Sequence, residues 1–415
     1  MFEFLIKELT NEIIGGINQM KNYKVLFILR TLKELLAIFV DSFLVLYFVQ
    51  VSQNNILPLG IYKLIAVISI YIVMFITKNF CKSKNRVIFL RIGIILDFIY
   101  FLTIILLKEK ITDYIYFVGL LYGLEEGFYY CVANMFESDG ITNEERTKYE
   151  GSYFSVQSIL SIIFPIVFGS IIYTNGFLKS LPIVLFIVLF RLILSFLFKD
   201  TNIPKVSKIN LKEFKNIVKK TPEVKKIYLI NFFEGLTYSE GAFGYIVTIY
   251  IIKVFSNSFS LGIFTSIFSL VSCLLGILFA KVIKKKYYRK MIGVSMTFTI
   301  ISLCIMLYKC NFITIVIFNF FQTVSKNLMN LINNTSGANI SNLELIRKNY
   351  KVEYFFGMET CLIIARIISN SLFIIMAFSN ISVLMFVFIG ILIFYAYHSI
   401  QLQKIIEQKK SPSLS

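Results

Sequence analysis

From residue 24 to the C-terminus the chain alternates long apolar runs with short polar, lysine-bearing interruptions. Twelve apolar segments can be drawn, at about 24–49, 57–77, 87–107, 113–136, 153–174, 181–198, 227–252, 259–280, 291–308, 312–338, 354–378 and 381–399. Each is close to the roughly 20 residues an α-helix needs to cross a hydrocarbon core. The pattern predicts an all-α integral membrane protein with 12 transmembrane helices. Residues 1–22 carry Glu3, Lys7, Glu8 and Glu12 before any long apolar run, and read as a short interfacial helix rather than a cleavable signal peptide.

Composition agrees: 57% of the 415 residues are hydrophobic and the mean hydropathy is +0.75, which excludes a soluble domain. The net charge of +18 would suit nucleic acid, but the basic residues stand in short loops between apolar runs. With both termini placed in the cytoplasm, 30 basic residues face that side and 5 the other, the asymmetry that orients multi-pass proteins in the cell membrane. A nucleic-acid partner is therefore not expected. The six cysteines form no C-x-x-C pair and read as buried, reduced thiols. His398 is the single histidine, so neither a metal site nor a cofactor is expected.

The longest connection, Lys199–Lys226, is lysine-rich and contains Pro204 and Pro222. It divides the chain into an N-terminal six-helix bundle (1–198), a basic cytoplasmic linker (199–226), a C-terminal six-helix bundle (227–399) and a cytoplasmic tail (400–415). The halves echo one another: Arg146-Thr-Lys148-Tyr149 after the fourth span matches Arg347-Lys348-Asn-Tyr350 after the tenth. Like-oriented repeats about an axis along the membrane normal would produce this.

Charge inside the spans points to function, because each such group must be paired or wetted. Glu125 and Glu126 fall centrally in span 4, Asp97 in span 3, Arg191 in span 6, Glu240 in span 7, Lys326 in span 10 and Arg366 in span 11. Arg30, Glu34, Ala37 and Asp41 share a face of span 1; Glu359, Arg366 and Asn370 share one of span 11. Asp97 and Arg191 read either as a structural ion pair or as site residues, and Glu359 as a structural charge. Lys33, Lys63 and Arg91 lie near span ends and are expected to snorkel. Adjacent Glu125 and Glu126 are expected to point different ways, one to a cavity and one to a neighbouring helix.

In span 10, Asn319, Gln322, Lys326, Asn330 and Asn333 fall within an arc of roughly 80° at about 100° per residue. Either a polar cavity or interhelical hydrogen bonding accounts for them, and a cavity is favoured by the lysine. Gly119, Gly123 and Gly127 recur along one face of span 4, Gly235 and Gly241 flank the acids of span 7, and Pro165 precedes Gly169 by one turn in span 5. These read as close-packing or kink positions.

The arrangement resembles the major facilitator superfamily. That family's loop signature G-x-x-x-D-R-x-G-R-[RK] is partly present in Gly276-Ile-Leu-Phe-Ala280-Lys281-Val-Ile-Lys284-Lys285, with Ala280 where the aspartate belongs. Met74-Phe-Ile-Thr-Lys78-Asn79-Phe80-Cys81-Lys82 keeps only the basic character, and Pro165-x-x-x-Gly169 echoes an antiporter motif. The resemblance implies a secondary transporter that rocks two halves about a central site, often with proton coupling. The expectation is a monomeric exporter, in the lipid bilayer, of a small amphipathic or cationic solute, with Glu34, Asp41, Glu125, Glu126 and Glu240 taking up protons. An anion carrier using Lys326 and Arg366, a flippase-type carrier of another 12-span fold and a non-transporting receptor are the alternatives. No phosphate loop or H-E-x-x-H is present, so an enzyme is not expected.

Overall fold

The structure, a computed structural model, describes residues 22–410 except 54, 78–85, 141–142, 200–210, 239–240, 256, 345, 347–349 and 378–380. The proposed interfacial helix therefore lies outside the described residues. The described residues are almost entirely helical. In order they are α1 Asn22–Phe39, α2 Val45–Val51, α3 Leu57–Thr77, α4 Arg86–Leu107, α5 Ile115–Gly140, α6 Asn143–Asn175, α7 Phe177–Ser195 and α8 Leu211–Lys220. There follow α9 Pro222–Thr237, α10 Ala242–Val254, α11 Ser258–Val282, α12 Tyr288–Tyr308, α13 Phe312–Ser341, α14 Lys351–Ala377 and α15 Ile381–Lys410.

A π-helical turn, Val40–Leu44, joins α1 to α2. Local chemistry ends the helices where the apolar runs end. Gly176 adopts φ +86°, a left-handed conformation suited to glycine, and reverses the chain between α6 and α7. The Asn257 side chain caps α11, and Asn311 forms a capping box with Thr314 at the start of α13.

Among the described residues, ten helical segments are long and apolar enough to cross a membrane. The expected fourth and seventh spans are not among the ten, for different reasons. The paired glutamates, glycines and tyrosines of α5 dilute its hydropathy. The seventh is interrupted: helix ends at Thr237 and resumes at Ala242. The basic linker contains the helix α8, and α15 continues through the expected tail to Lys410. In both places lysines and glutamines are good helix formers once one face is buried.

Helix pairs repeat along the chain. The packing of α3 on α5, α4 on α5 and α4 on α7 recurs as α11 on α13, α12 on α13 and α12 on α15. Across the middle, α6 packs on α11, α3 on α14 and α2 on α10. The crossings use small residues. A Cβ on Gly169 would stand 2.7 Å from the Ser258 carbonyl oxygen, whose own side chain donates to the Gly169 carbonyl at 3.1 Å. Gly119, Gly123 and Gly127 bring α5 onto the α3 backbone, and Gly235 meets the Leu362 carbonyl. The small-residue positions are thus close-packing sites. Rings lock α1 and α2 to α6 and α7: Tyr47 stacks on Phe177 at 4.2 Å and Phe39 meets Phe168 at 5.2 Å.

Candidate functional site

Four helices build one buried charge cluster. Lys33 of α1 is only 2% exposed. Its Nζ lies 2.6 Å from Glu125 Oε1 and 2.8 Å from Glu126 Oε1, both of α5, and 3.9 Å from Asp97 Oδ2 of α4. Arg191 of α7, fully buried, donates through its guanidinium to the same Asp97 oxygen and lies over the Tyr129 ring at 4.7 Å. Lys33 is 5.9 Å from that ring. Tyr62 and Tyr100 share a hydroxyl hydrogen bond of 2.7 Å beside the cluster. Buried ions persist only when paired and hydrogen-bonded, and here each carboxylate has a cation within reach.

Two expectations are corrected at this point. Lys33 and Lys63 do not snorkel; both are buried, because carboxylates of neighbouring helices hold them inside. Glu125 and Glu126 do not diverge. Successive helical positions differ by about 100°, but an ammonium inserted between them lets both carboxylates bend towards it. Both glutamates are buried. Asp97 and Arg191 form the anticipated ion pair. Arg91 is half-buried and donates to the Ser195 and Phe198 carbonyls at the end of α7, a helix terminus that favours a cation.

Around this core the polar face of α1 continues. Glu34 accepts from the Tyr153 hydroxyl at 2.8 Å and from Gln157 Nε2 at 3.0 Å, both of α6. Arg30 lies 4.2 Å over the same tyrosine ring. Asp41, in the π turn, has a side chain 62% exposed and 3.8 Å from Lys63 Nζ.

The α13 stripe divides. Asn319 is buried and donates to its own Ile315 carbonyl; Asn333 is buried and donates to Tyr395 of α15. Asn327, on the flank, bonds Ser272 of α11. Asn327 and Asn333 thus bridge helices, whereas Asn319 turns back to its own helix. Lys326 is exposed, with Gln322 and Asn330 half-buried. On α14, Arg366 is half-buried and Glu359 exposed. Glu240 lies outside the described residues. The helix break beside it is held by Ser369, whose hydroxyl donates to the Leu236 carbonyl and accepts from the Ala242 N–H, both at 2.9 Å. Backbone freed at membrane depth must find such a partner. Tyr245 of α10 donates to Asn370 of α14. The cysteines also differ from expectation: Cys304 and Cys310 are exposed, and Cys273 and Cys361 half-buried.

Sequence reasoning missed Lys33, Tyr129, Tyr153, Gln157 and Ser369. Lys33 carried a misleading signal, since its place in the first apolar segment resembles that of a snorkelling lysine. The others carried none, as their roles depend on contacts between helices.

A sequence profile of the Major Facilitator Superfamily matches residues 57–337. The chain belongs to this family. Among bacterial relatives, the uncharacterized protein YqgE of Bacillus subtilis (strain 168) is 23% identical over 325 residues, covering 77% of this chain and 74% of that protein. An uncharacterized Geobacillus stearothermophilus protein from the sodM 3′ region is 26% identical over 114 residues, 28% of this chain and 53% of that one. The fold is similar to a crystal structure of a bacterial homologue of the iron transporter ferroportin in the inward-facing state, with TM-score 0.68, 11% identity and coverage of 92% and 98%. It is also similar to the nucleoside transporter NupG, with TM-score 0.64, 13% identity and coverage of 92% and 99%. Membership in this superfamily points to a transporter rather than an enzyme.

Proposed function

We propose that this superfamily member is a proton-coupled secondary transporter that exports a small amphipathic or cationic solute across the cell membrane. Two six-helix bundles, 1–198 and 227–399, joined by the basic segment, rock about a central site. The termini and the basic segment face the cytoplasm, as the 30-to-5 bias in basic residues supports, and the carrier works as a monomer. The observation that carries the reading is the Lys33, Asp97, Glu125, Glu126 and Arg191 network, an expensive group of buried charges inside the first half. A purely structural core would use apolar contacts. Glu34, Asp41, Gln322, Lys326, Asn330 and Arg366, with Glu240, are the proposed groups around the solute. Glu34 and Asp41 favour a cation.

The test is flux in proteoliposomes under an imposed pH gradient, followed by a pH-sensitive dye. Cationic amphipaths, nucleosides, anionic metabolites and ferrous iron form the panel, the nucleoside and iron arms prompted by the structural neighbours. A cationic solute is expected to dissipate the gradient, and the Glu125→Gln/Glu126→Gln double variant to lose coupling. Parental coupling in that variant would remove both residues from the mechanism. The exposed Lys326 supports a second reading, an anion carrier: Lys326→Gln would then abolish anion binding and leave cations unaffected.

A further inference from the structure

A groove of about 350 Å³ opens between three helices of the second half. Phe279 of α11 forms one wall, Lys290, Val294 and Phe298 follow one stripe of α12, and Phe321 and Leu328 face them from α13. Val294 and Phe298 are each 48% exposed, so the groove opens on the side that meets lipid. Of the described residues that line it, only Lys290 and Ser295 are polar, and the Ser295 hydroxyl donates to the Ile292 carbonyl at 3.2 Å. The Phe298 and Phe321 rings stack at 5.1 Å about halfway along α12. Lys290 lies eight residues nearer the start of that helix, about 12 Å away at 1.5 Å per residue. The slot is therefore apolar, with an aromatic stack towards mid-bilayer and an ammonium group at its mouth. Charge around the mouth has one sign. Lys281, Lys284, Lys285, Lys286, Arg289 and Lys290 are all exposed within ten residues. No acidic residue occurs between Gly241 and Leu343, the stretch that supplies all three walls. Glu407 of α15 reaches this region from outside it and pairs with Arg289 at 3.2 Å.

We propose that this groove binds an anionic phospholipid, with an acyl chain along Val294 and Phe298 and the phosphate at Lys290. Chain packing alone cannot select a lipid, because bilayer tails are as apolar as the groove walls. Selection comes from the head group. Basic residues beside a span attract anionic lipid, and a phosphate at the mouth also accepts a charge-assisted hydrogen bond from the ammonium group. A zwitterionic lipid brings its own cation to the lysine cluster and gains less. The binding needs only a chain embedded in a bilayer, so it stands apart from the cargo and the coupling. Only the leaflet depends on the proposed orientation, which makes it the cytoplasmic one.

The chain has no tryptophan, so a single one can serve as a reporter. Phe298→Trp places it in the groove. Phe186→Trp places it at the middle of α7, where the native ring is 70% exposed, as a reference for ordinary lipid contact. Each full-length variant is reconstituted into vesicles in which either phosphatidylglycerol or phosphatidylcholine, with the same chains, carries bromine as a quencher. At Phe298→Trp, quenching should give a binding constant for phosphatidylglycerol about fivefold that for phosphatidylcholine, whereas at Phe186→Trp the ratio should be near one. Adding Lys290→Gln to Phe298→Trp should bring its ratio near one and leave quenching by phosphatidylcholine unchanged, which a misfolded variant would not do. Equal constants for the two lipids at Phe298→Trp, the same preference at both reporters, or a preference that survives Lys290→Gln would overturn the proposal. Absence of quenching by either lipid at Phe298→Trp would also overturn it, and would point to a helix of another protein in the groove.

Discussion

A Cβ added to Gly262 of α11 would lie 2.2 Å from the carbonyl oxygen of Pro165 in α6. The two helices cross there with no room for a methyl group, at the contact between the first and second halves of the chain. The carbonyl belongs to backbone and cannot rotate away as a side chain would. Gly262→Ala is therefore expected to lower stability by about 1–3 kcal/mol through overpacking, read as a fall in melting temperature in detergent. Gly151, with nothing near its Cβ position, should accept alanine without that fall.

Arg191 and Asp97 are expected to be strongly unequal to their joint removal. Arg191→Leu strands Asp97 in a buried site and should cost about 3–5 kcal/mol. Asp97→Asn/Arg191→Leu removes one charge of each sign and should recover much of the loss. Thermal denaturation of the four proteins completes the cycle, and a double-variant loss equal to the sum of the two single losses would show that the pair is not coupled.

Cys310, on the short connection between α12 and α13, is exposed and places a reporter outside the spans. Partial burial pushes its thiol above the ordinary range, opposed by Lys253. Less thiolate is then present at neutral pH, so maleimide labelling should be slower than for a free thiol and should climb with rising pH. A membrane-impermeant maleimide should label it in intact cells if the termini are cytoplasmic. Labelling only after lysis would reverse the proposed orientation.

Phe214 anchors α8, buried at 5.7 Å from the Tyr350 ring while Lys212, Lys215, Lys219 and Lys220 remain exposed. The Glu213 carboxylate accepts from Tyr350 and raises that phenol above its usual value. Phe214→Ala is expected to free the helix, so that trypsin cuts at those lysines several-fold faster while the melting temperature of the spans hardly moves. Unchanged cleavage would mean the helix is held by other contacts.

The spans were legible because burying backbone in hydrocarbon demands long apolar helices, and that demand is written residue by residue. The partnership of Asp97 with Arg191 was legible for the same reason, since opposite charges at matching depth have few other choices. Lys33 was misread because its distance from the end of its segment resembles that of a snorkelling lysine, and only the facing acids of α4 and α5 reveal otherwise. The α13 stripe was half legible. Its spacing identified a polar face, but whether an amide meets water or Tyr395 depends on where α15 lies. The break after Thr237 was hinted at by glycines, whereas its partner Ser369 is over 130 positions later and left no local mark.

The π turn at Val40–Leu44 changes the bookkeeping of the first span. One additional residue in that coil shifts the phase of everything beyond it by about 100°, so a wheel drawn through Arg30, Glu34 and Asp41 assigns Asp41 to the wrong longitude. The lower stretch addresses the ion cluster, while Val45–Val51 turns its flank to α10 across the midline. Deleting a single residue between 40 and 44 would straighten the coil and leave every other side chain intact, yet sever the alignment between these two jobs.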